Sequence, residues 1–380
     1  MLESIKRRAL SACAGITTFL WSVTASAEYG LNLKPGVTPI SHEAYDLHML
    51  ILWICVAIAV VVFGAMLISI IFHRKSRGAV ASQFHESTTV EMIWTVLPFV
   101  ILVAMAIPAT KALIIMEDTS NSDISIKVTG YQWKWGYEYM GEGVSFISAL
   151  DPKHFEARER DSGIDVTTIE NYLLEVDNPI VVPVNKKVRL LVTSNDVIHA
   201  WWVPELGMKK DAVPGYINEM WFNIEKEGTY RGQCTELCGK DHGFMPIVVI
   251  AKSEADYNSW LAEQKAAGAA DAAAGDRDWS LAELMERGEK AYGSSCAACH
   301  QASGDGIPGA FPALKGSPVA MGAIEDHLAL VMNGVPGTAM GGFASQLSDV
   351  DMAAIVTYER NAWGNNVGDM VQPSEVKAAR

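Results

Sequence analysis

Gly232-Gln-Cys-Thr-Glu-Leu-Cys-Gly-Lys-Asp-His-Gly-Phe-Met-Pro246 packs two thiols, an imidazole and a thioether (Cys234, Cys238, His242 and Met245) into one short loop. Soft sulfur and nitrogen donors select copper over magnesium, calcium or manganese, and structural zinc rarely recruits methionine. A mononuclear blue-copper site needs one cysteine. A second, four residues away, lets two thiolates bridge a pair of ions. One more histidine must then come from elsewhere. His199, at the end of a strand in Asn195-Asp-Val-Ile-His-Ala-Trp201, is the best candidate. The competing reading of the two cysteines is an exported disulfide.

Further along, Cys296-Ala-Ala-Cys299-His300 has the spacing of covalent haem attachment, in which both thiols bond the vinyl groups and the histidine is an axial ligand. The usual competitor, a thioredoxin-like Cys-x-x-Cys, needs a βαβ setting that is missing from the surrounding pattern. Of the six cysteines this leaves only Cys13, in a leader-like segment, and Cys55, in an apolar run. The exported thiols are therefore spaced for ligation and not for stapling.

A hydrophobic content of 49% in 380 residues is too high for an ordinary soluble protein, and the excess lies near the N-terminus. Residues 1–27 read as a signal peptide, with Lys6, Arg7 and Arg8 at the start and Ala25-Ser26-Ala27 as the cleavage site. Residues 28–117 read as a transmembrane hairpin with spans at about 49–72 and 92–115. Pro98 and Pro108 kink the second span without forbidding it. Between the spans, His73-Arg74-Lys75-Ser76-Arg77 marks the cytoplasmic side, so everything after residue 117 faces the outside of a bacterial-type inner membrane.

Residues 118–258 carry short alternating or β-branched runs, Ile124–Val128, Tyr172–Val176, Lys187–Val192, Trp221–Ile224 and Ile247–Ile250, punctuated by turn residues. That pattern predicts an all-β sandwich or barrel. Residues 259–279, rich in Ala, Gly and Asp without an apolar face, read as a flexible linker with partial helical content. From Ser280 the pattern turns helical, with a capping box at Ser280 and Glu283 and a second helix opening at Ser348, which predicts a small all-α haem domain over 280–366 and a tail over 367–380.

With these motifs in hand, the chain resembles subunit II of haem-copper cytochrome c oxidases over roughly residues 40–260. The matching stretches are Tyr131-Gln-Trp-Lys-Trp-Gly-Tyr-Glu-Tyr139, His199-Ala-Trp-Trp-Val-Pro204, Lys210-Asp-Ala-Val-Pro-Gly215 and the loop quoted first. The resemblance implies a cupredoxin Greek-key fold and a dinuclear CuA centre held by His199, Cys234, Cys238, His242, Met245 and the backbone carbonyl of Glu236. It also implies a magnesium ion shared with subunit I at the Glu236 side chain, electron entry at a surface tryptophan, Trp133, and a proton-pathway acid at Glu91. An acid there also suits the N-terminus of a helix. The segment from 280 resembles a class I cytochrome c, which places Met340 as the distal haem ligand. Met321, Met332 and Met352 are rivals, and Gly341-Gly342 stands where relatives often have proline after the methionine.

An oxygen-reducing haem-copper site needs several histidines buried within membrane helices, and none of the nine here lies in the middle of an apolar run, so that site is expected on a partner. The whole reads as the electron-entry subunit of a proton-pumping oxidase that reduces oxygen to water. Its expected partners are subunits I and III, a cytochrome c or other membrane-linked donor and the lipid bilayer, with no nucleic acid; the net charge of -14 suits a basic donor. Three alternatives remain: delivery to a nitric oxide reductase, a quinol oxidase subunit, which lacks the copper ligands, and a copper-delivery protein, which has no use for a haem.

Overall fold

In the computed structural model, residues 32–159 and 162–380 are described; the leader read at 1–27 lies outside the described residues. Helix α1 (Pro39–Phe72) begins well before its apolar run because Thr38 and Ser41 form a reciprocal capping box and proline occupies the first turn. Helix α2 (Thr88–Glu117) stays continuous through Pro98 and Pro108. Large apolar side chains along both are exposed, including Val60, Phe63, Leu97 and Phe99, as expected of surfaces that meet lipid or another subunit and not a core of this chain.

Both outer ends of this hairpin are fastened to the next domain. Thr38 Oγ1 donates to the carbonyl of Leu206 at 2.9 Å, and Trp221 Nε1 donates to that of Ile115 at 3.1 Å. Buried Ile40 joins the core of that domain.

Among the described residues, ten strands form two facing five-stranded sheets. The first contains β1 (Ile124–Tyr131), β2 (Lys134–Tyr139), β3 (Val144–Ser148), β5 (Val188–Ser194) and β8 (Asn218–Phe222), in the order β3-β2-β1-β5-β8. The second contains β4 (Ile180–Pro183), β6 (His199–Val203), β7 (Met208–Ala212), β9 (Gly228–Cys234) and β10 (Pro246–Lys252), in the order β4-β10-β9-β6-β7. The parallel pairs β1 with β5 and β4 with β10 require long crossovers, so this is a cupredoxin-like sandwich and not a simple meander. Alternate residues of β5 are buried, and Ile126, Leu190, Trp135, Trp201 and Phe222 fill the space between the sheets.

Three expectations about organisation need correction, the last of them at the C-terminus. Tyr172–Val176 is not a strand: Asn171 and Leu173 adopt positive φ angles of 50° and 64°, Leu174 N donates to Asn171 O, and only Val176 makes a bridge. The stretch read as a flexible linker over 259–279 is mostly helix α4 (Glu254–Ala274; α3 is the short Pro152–Ala157), capped by Ser253. Alanine favours helix strongly, and Tyr257 and Leu261 anchor the first turns in the sandwich core.

Helix α4 leads into α5 (Leu281–Ser295), where both bonds of the predicted capping box are present. There follow α6 (Ala297–His300), α7 (Ile324–Asn333), α8 (Asp349–Asn361) and α9 (Pro373–Ala379). The last belongs to the helical domain and not to a tail beyond it. Val371 and Val376 are fully buried in its core, and Gln372 bonds Trp279 in both directions.

Candidate metal centre and the adjoining crevice

Strands β9 and β10 pair with Gln233 opposite Pro246, so the loop 234–245 is the connection of a hairpin with both ends pinned. On the other side of β9, Trp201 of β6 lies opposite Cys234, which brings His199 at the head of β6 to the same end. Cys234 Sγ is 4.0 Å from His199 Nδ1 and 3.8 Å from Cys238 Sγ. Cys238 Sγ is 3.5 Å from His242 Nδ1 and 3.6 Å from Met245 Sδ, and the carbonyl oxygen of Glu236 is 3.4 Å from Cys234 Sγ.

A disulfide requires sulfurs about 2.05 Å apart, and these stand too far from one another for that bond. The order is nitrogen, sulfur, sulfur, nitrogen, with a thioether and a carbonyl on the flanks. That donor set fits two soft ions sharing two central thiolates. A hydrogen bond from Cys238 holds the Cys234 thiol well below its ordinary pKa, and the same contact pushes that of Cys238 up. One proton leaves the pair readily, and the second leaves when a cation takes its place.

Burial works against the charged form of His199, but the carboxylate of Asp196, 2.8 Å from Nε2, and the sulfur of Cys234 outweigh it and raise its pKa. With Nε2 committed to Asp196, Nδ1 is the nitrogen turned to the sulfur. Gly130 makes room for the ring, since a Cβ there would lie 2.7 Å from His199 Cδ2. At the other end of the row, Asp241 accepts from Arg158 Nη2 at 3.1 Å, and the guanidinium sits between the rings of Phe155 and Phe244 at 4.3 and 4.4 Å. Both charges are buried, and together they hold the backbone next to His242. Neither Asp196 nor Arg158 was singled out from sequence; an acid three residues before a candidate histidine was the available signal for the first, and Arg158 lies too far along the chain to give one.

Trp133 Nε1 and Gln132 Nε2 both donate to the carbonyl of Cys238, at 3.1 and 2.8 Å. The tryptophan expected at the surface is only 7% exposed, because the helical domain covers it: the ring of Phe311 meets it edge-on, with centroids 6.4 Å apart. Lys240 Nζ reaches the carbonyl of Ala298 at 3.4 Å, and Cys299 packs against the sandwich core.

Beyond Trp133 opens a cavity of about 380 Å³ lined by Cys296, Cys299, His300 and Met340. The carbonyl of Pro312 can only accept, so the 2.8 Å contact from His300 Nδ1 fixes the proton on that nitrogen and leaves Nε2 free as a ligand. Apolar walls that include Leu330 and Val331, a free imidazole nitrogen, a thioether and two thiols suit a covalently held haem. Met332 and Met352 are buried in the helical core instead. Glu91 lies apart from both places, exposed in the first turn of α2.

Comparison with known proteins gives three family matches. Residues 26–112 match the transmembrane domain of cytochrome c oxidase subunit II, residues 124–252 its periplasmic domain, and residues 283–358 the family described as cytochrome c oxidase, cbb3-type, subunit III. A probable cytochrome c oxidase subunit 2 of Rickettsia prowazekii is 39% identical over 253 residues, which are 66% of this chain and 75% of that one. Cytochrome c oxidase subunit 2 of Cereibacter sphaeroides is 38% identical over 244 residues, 62% of this chain and 80% of its own. Among solved structures, the periplasmic domain of subunit II of cytochrome oxidase from Bradyrhizobium japonicum is 41% identical, covering 39% of this chain and 96% of that one with a TM-score of 0.34.

Proposed function

Because the chain belongs to the cytochrome c oxidase subunit 2 family and carries a cytochrome c domain, we propose that it receives electrons at the helical domain and delivers them through a dinuclear copper centre to subunit I. The observation that carries this reading is the row of His199, Cys234, Cys238 and His242 with Trp133 bonded to the carbonyl of Cys238. His199, Cys234, Cys238, His242, Met245 and the Glu236 carbonyl would hold the copper pair. Cys296 and Cys299 would bond a haem c, with His300 and Met340 as its axial ligands. When bound, these groups supply one-electron chemistry, because each accepts and returns a single charge with little rearrangement of its ligands.

The remaining residues take supporting roles. Trp133 spans the gap between the haem crevice and the copper loop, which supports it as the point of electron entry. Leu237, between the two cysteines, is 78% exposed, which supports burial of the loop tip against subunit I. The side chain of Glu236 would face a magnesium ion at that same interface. On the cytoplasmic end of the second span, Glu91 would open a proton pathway into subunit I. Reduction of oxygen to water and proton pumping take place on subunit I. Subunit III completes the assembly, and a cytochrome c or other membrane-linked carrier is the donor.

Spectroscopy of the purified oxidase tests this. A mixed-valence dicopper signal lost in Cys234→Ser, and a c-haem spectrum altered in Cys299→Ser, are the expected results. A metal-free disulfide between Cys234 and Cys238 would overturn the copper assignment. Oxygen uptake by the complex separates this reading from delivery to a nitric oxide reductase.

A further inference from the structure

We propose that Lys134, a residue of the copper domain, tunes the haem of the helical domain, its ammonium forming part of the roof of the haem crevice and favouring the reduced haem. The inference rests on the haem reading above. Lys134 opens β2 directly after Trp133 and is 4% exposed. It lines the same cavity as His300 and Met340, although those two residues belong to the other domain.

The Nζ atom has no hydrogen-bond partner. The ammonium lies over the ring of Phe343, 4.7 Å from its centroid and three residues after Met340. An ammonium buried without a partner is costly, and burial pulls the pKa of Lys134 down to about 8, which still leaves a cation at neutral pH. The crevice also contains Glu359, whose Oε2 lies 2.8 Å from His327 Nε2, and Asp177 and Asp196 act on Lys134 electrostatically, but none of these carboxylates hydrogen-bonds its Nζ. A positive charge beside the haem, unpaired by any hydrogen-bonded carboxylate, favours the state with one electron more. The electron comes from the donor, and no bond forms or breaks.

The lysine and the haem are carried by different domains, so the effect exists only while the two are docked. Linkage makes it reciprocal: docking raises the potential of the haem, and reduction of the haem strengthens docking by the same factor.

Redox titration of the purified oxidase carrying Lys134→Gln tests this. At a fixed ambient potential near the midpoint, the ferrous-to-ferric ratio of the c-haem is expected to fall about tenfold, the size of effect that one charge exerts at roughly 10 Å in a protein-like dielectric. The Lys134→Arg variant keeps most of the parent ratio, and the copper signal is the same in all three proteins. If glutamine disturbs the fold, seen as a lost copper signal, Lys134→Met preserves length and packing and should shift the haem in the same direction. A c-haem that titrates in Lys134→Gln or Lys134→Met as it does in the parent would overturn the proposal. A parent protein without covalent haem would instead overturn the reading beneath it.

Discussion

Asp196 shows how much of the metal centre depends on a residue that touches no candidate ion. Its carboxylate accepts from Gln132 N at 2.7 Å and contacts His199 Nε2 at 2.8 Å, so it couples the approach to Trp133 to the orientation of a ligand. Replacing Asp196 with alanine frees the ring to rotate and exposes Nδ1 to the wrong tautomer. Copper affinity is expected to fall about 10–100-fold, measured as copper retained on dialysis against graded chelator. That Cys234, Cys238, His242 and Met245 share one loop was legible from their spacing, and His199 stood out only from its place at the end of a strand; the structure brings all five side chains together. Arg158 was not legible. Its value comes from Asp241 and from two phenyl rings that only the folded chain gathers around it.

At the scale of elements, the helical domain depends on the crossing of α5 and α8 at Gly288. A Cβ there would lie 2.2 Å from the carbonyl oxygen of Ala354 and 2.6 Å from Tyr358 Cβ, so the helices would have to separate. Gly288→Ala is therefore expected to destabilise the domain by about 1–3 kcal/mol despite the better helix propensity of alanine. Gly293, five residues on in the same helix, has nothing within 4 Å of its missing Cβ, and Gly293→Ala should stabilise by about 0.5–1 kcal/mol. Denaturant midpoints followed by haem absorption distinguish the two signs. The caps at Ser280 and Ser348 were readable because a cap is a local event between residues three apart. The turn at Asn171–Leu174 was not, because the β-like composition of Tyr172–Val176 is overridden by contacts such as Leu173 N donating to His154 Nδ1 at 3.0 Å.

For the whole molecule, the decisive feature is that α4 is a rod fixed at both ends. Lys265 pairs with Glu142 of the sandwich, while Asp271 pairs with Arg287 of the helical domain, each at 2.5 Å. Insertion of a flexible Gly-Ser-Gly after Gly268 replaces a set separation with an effective concentration in the millimolar range. Both centres should keep their spectra, while electron transfer between them becomes slower and dependent on ionic strength, as read by rapid-mixing reduction of copper.

Sequence alone determined the presence of two membrane spans, a β domain with a soft-metal loop and a helical domain with a haem signature. Each follows from a period, a length or a spacing along the chain, and such signals survive without any long-range contact. Only the tertiary structure decided that Trp133 is covered, that Lys134 crosses into the neighbouring crevice and that the linker is stiff. Those facts depend on which surfaces of two separately encoded domains come together, and packing between residues more than a hundred positions apart leaves no periodic trace in either segment.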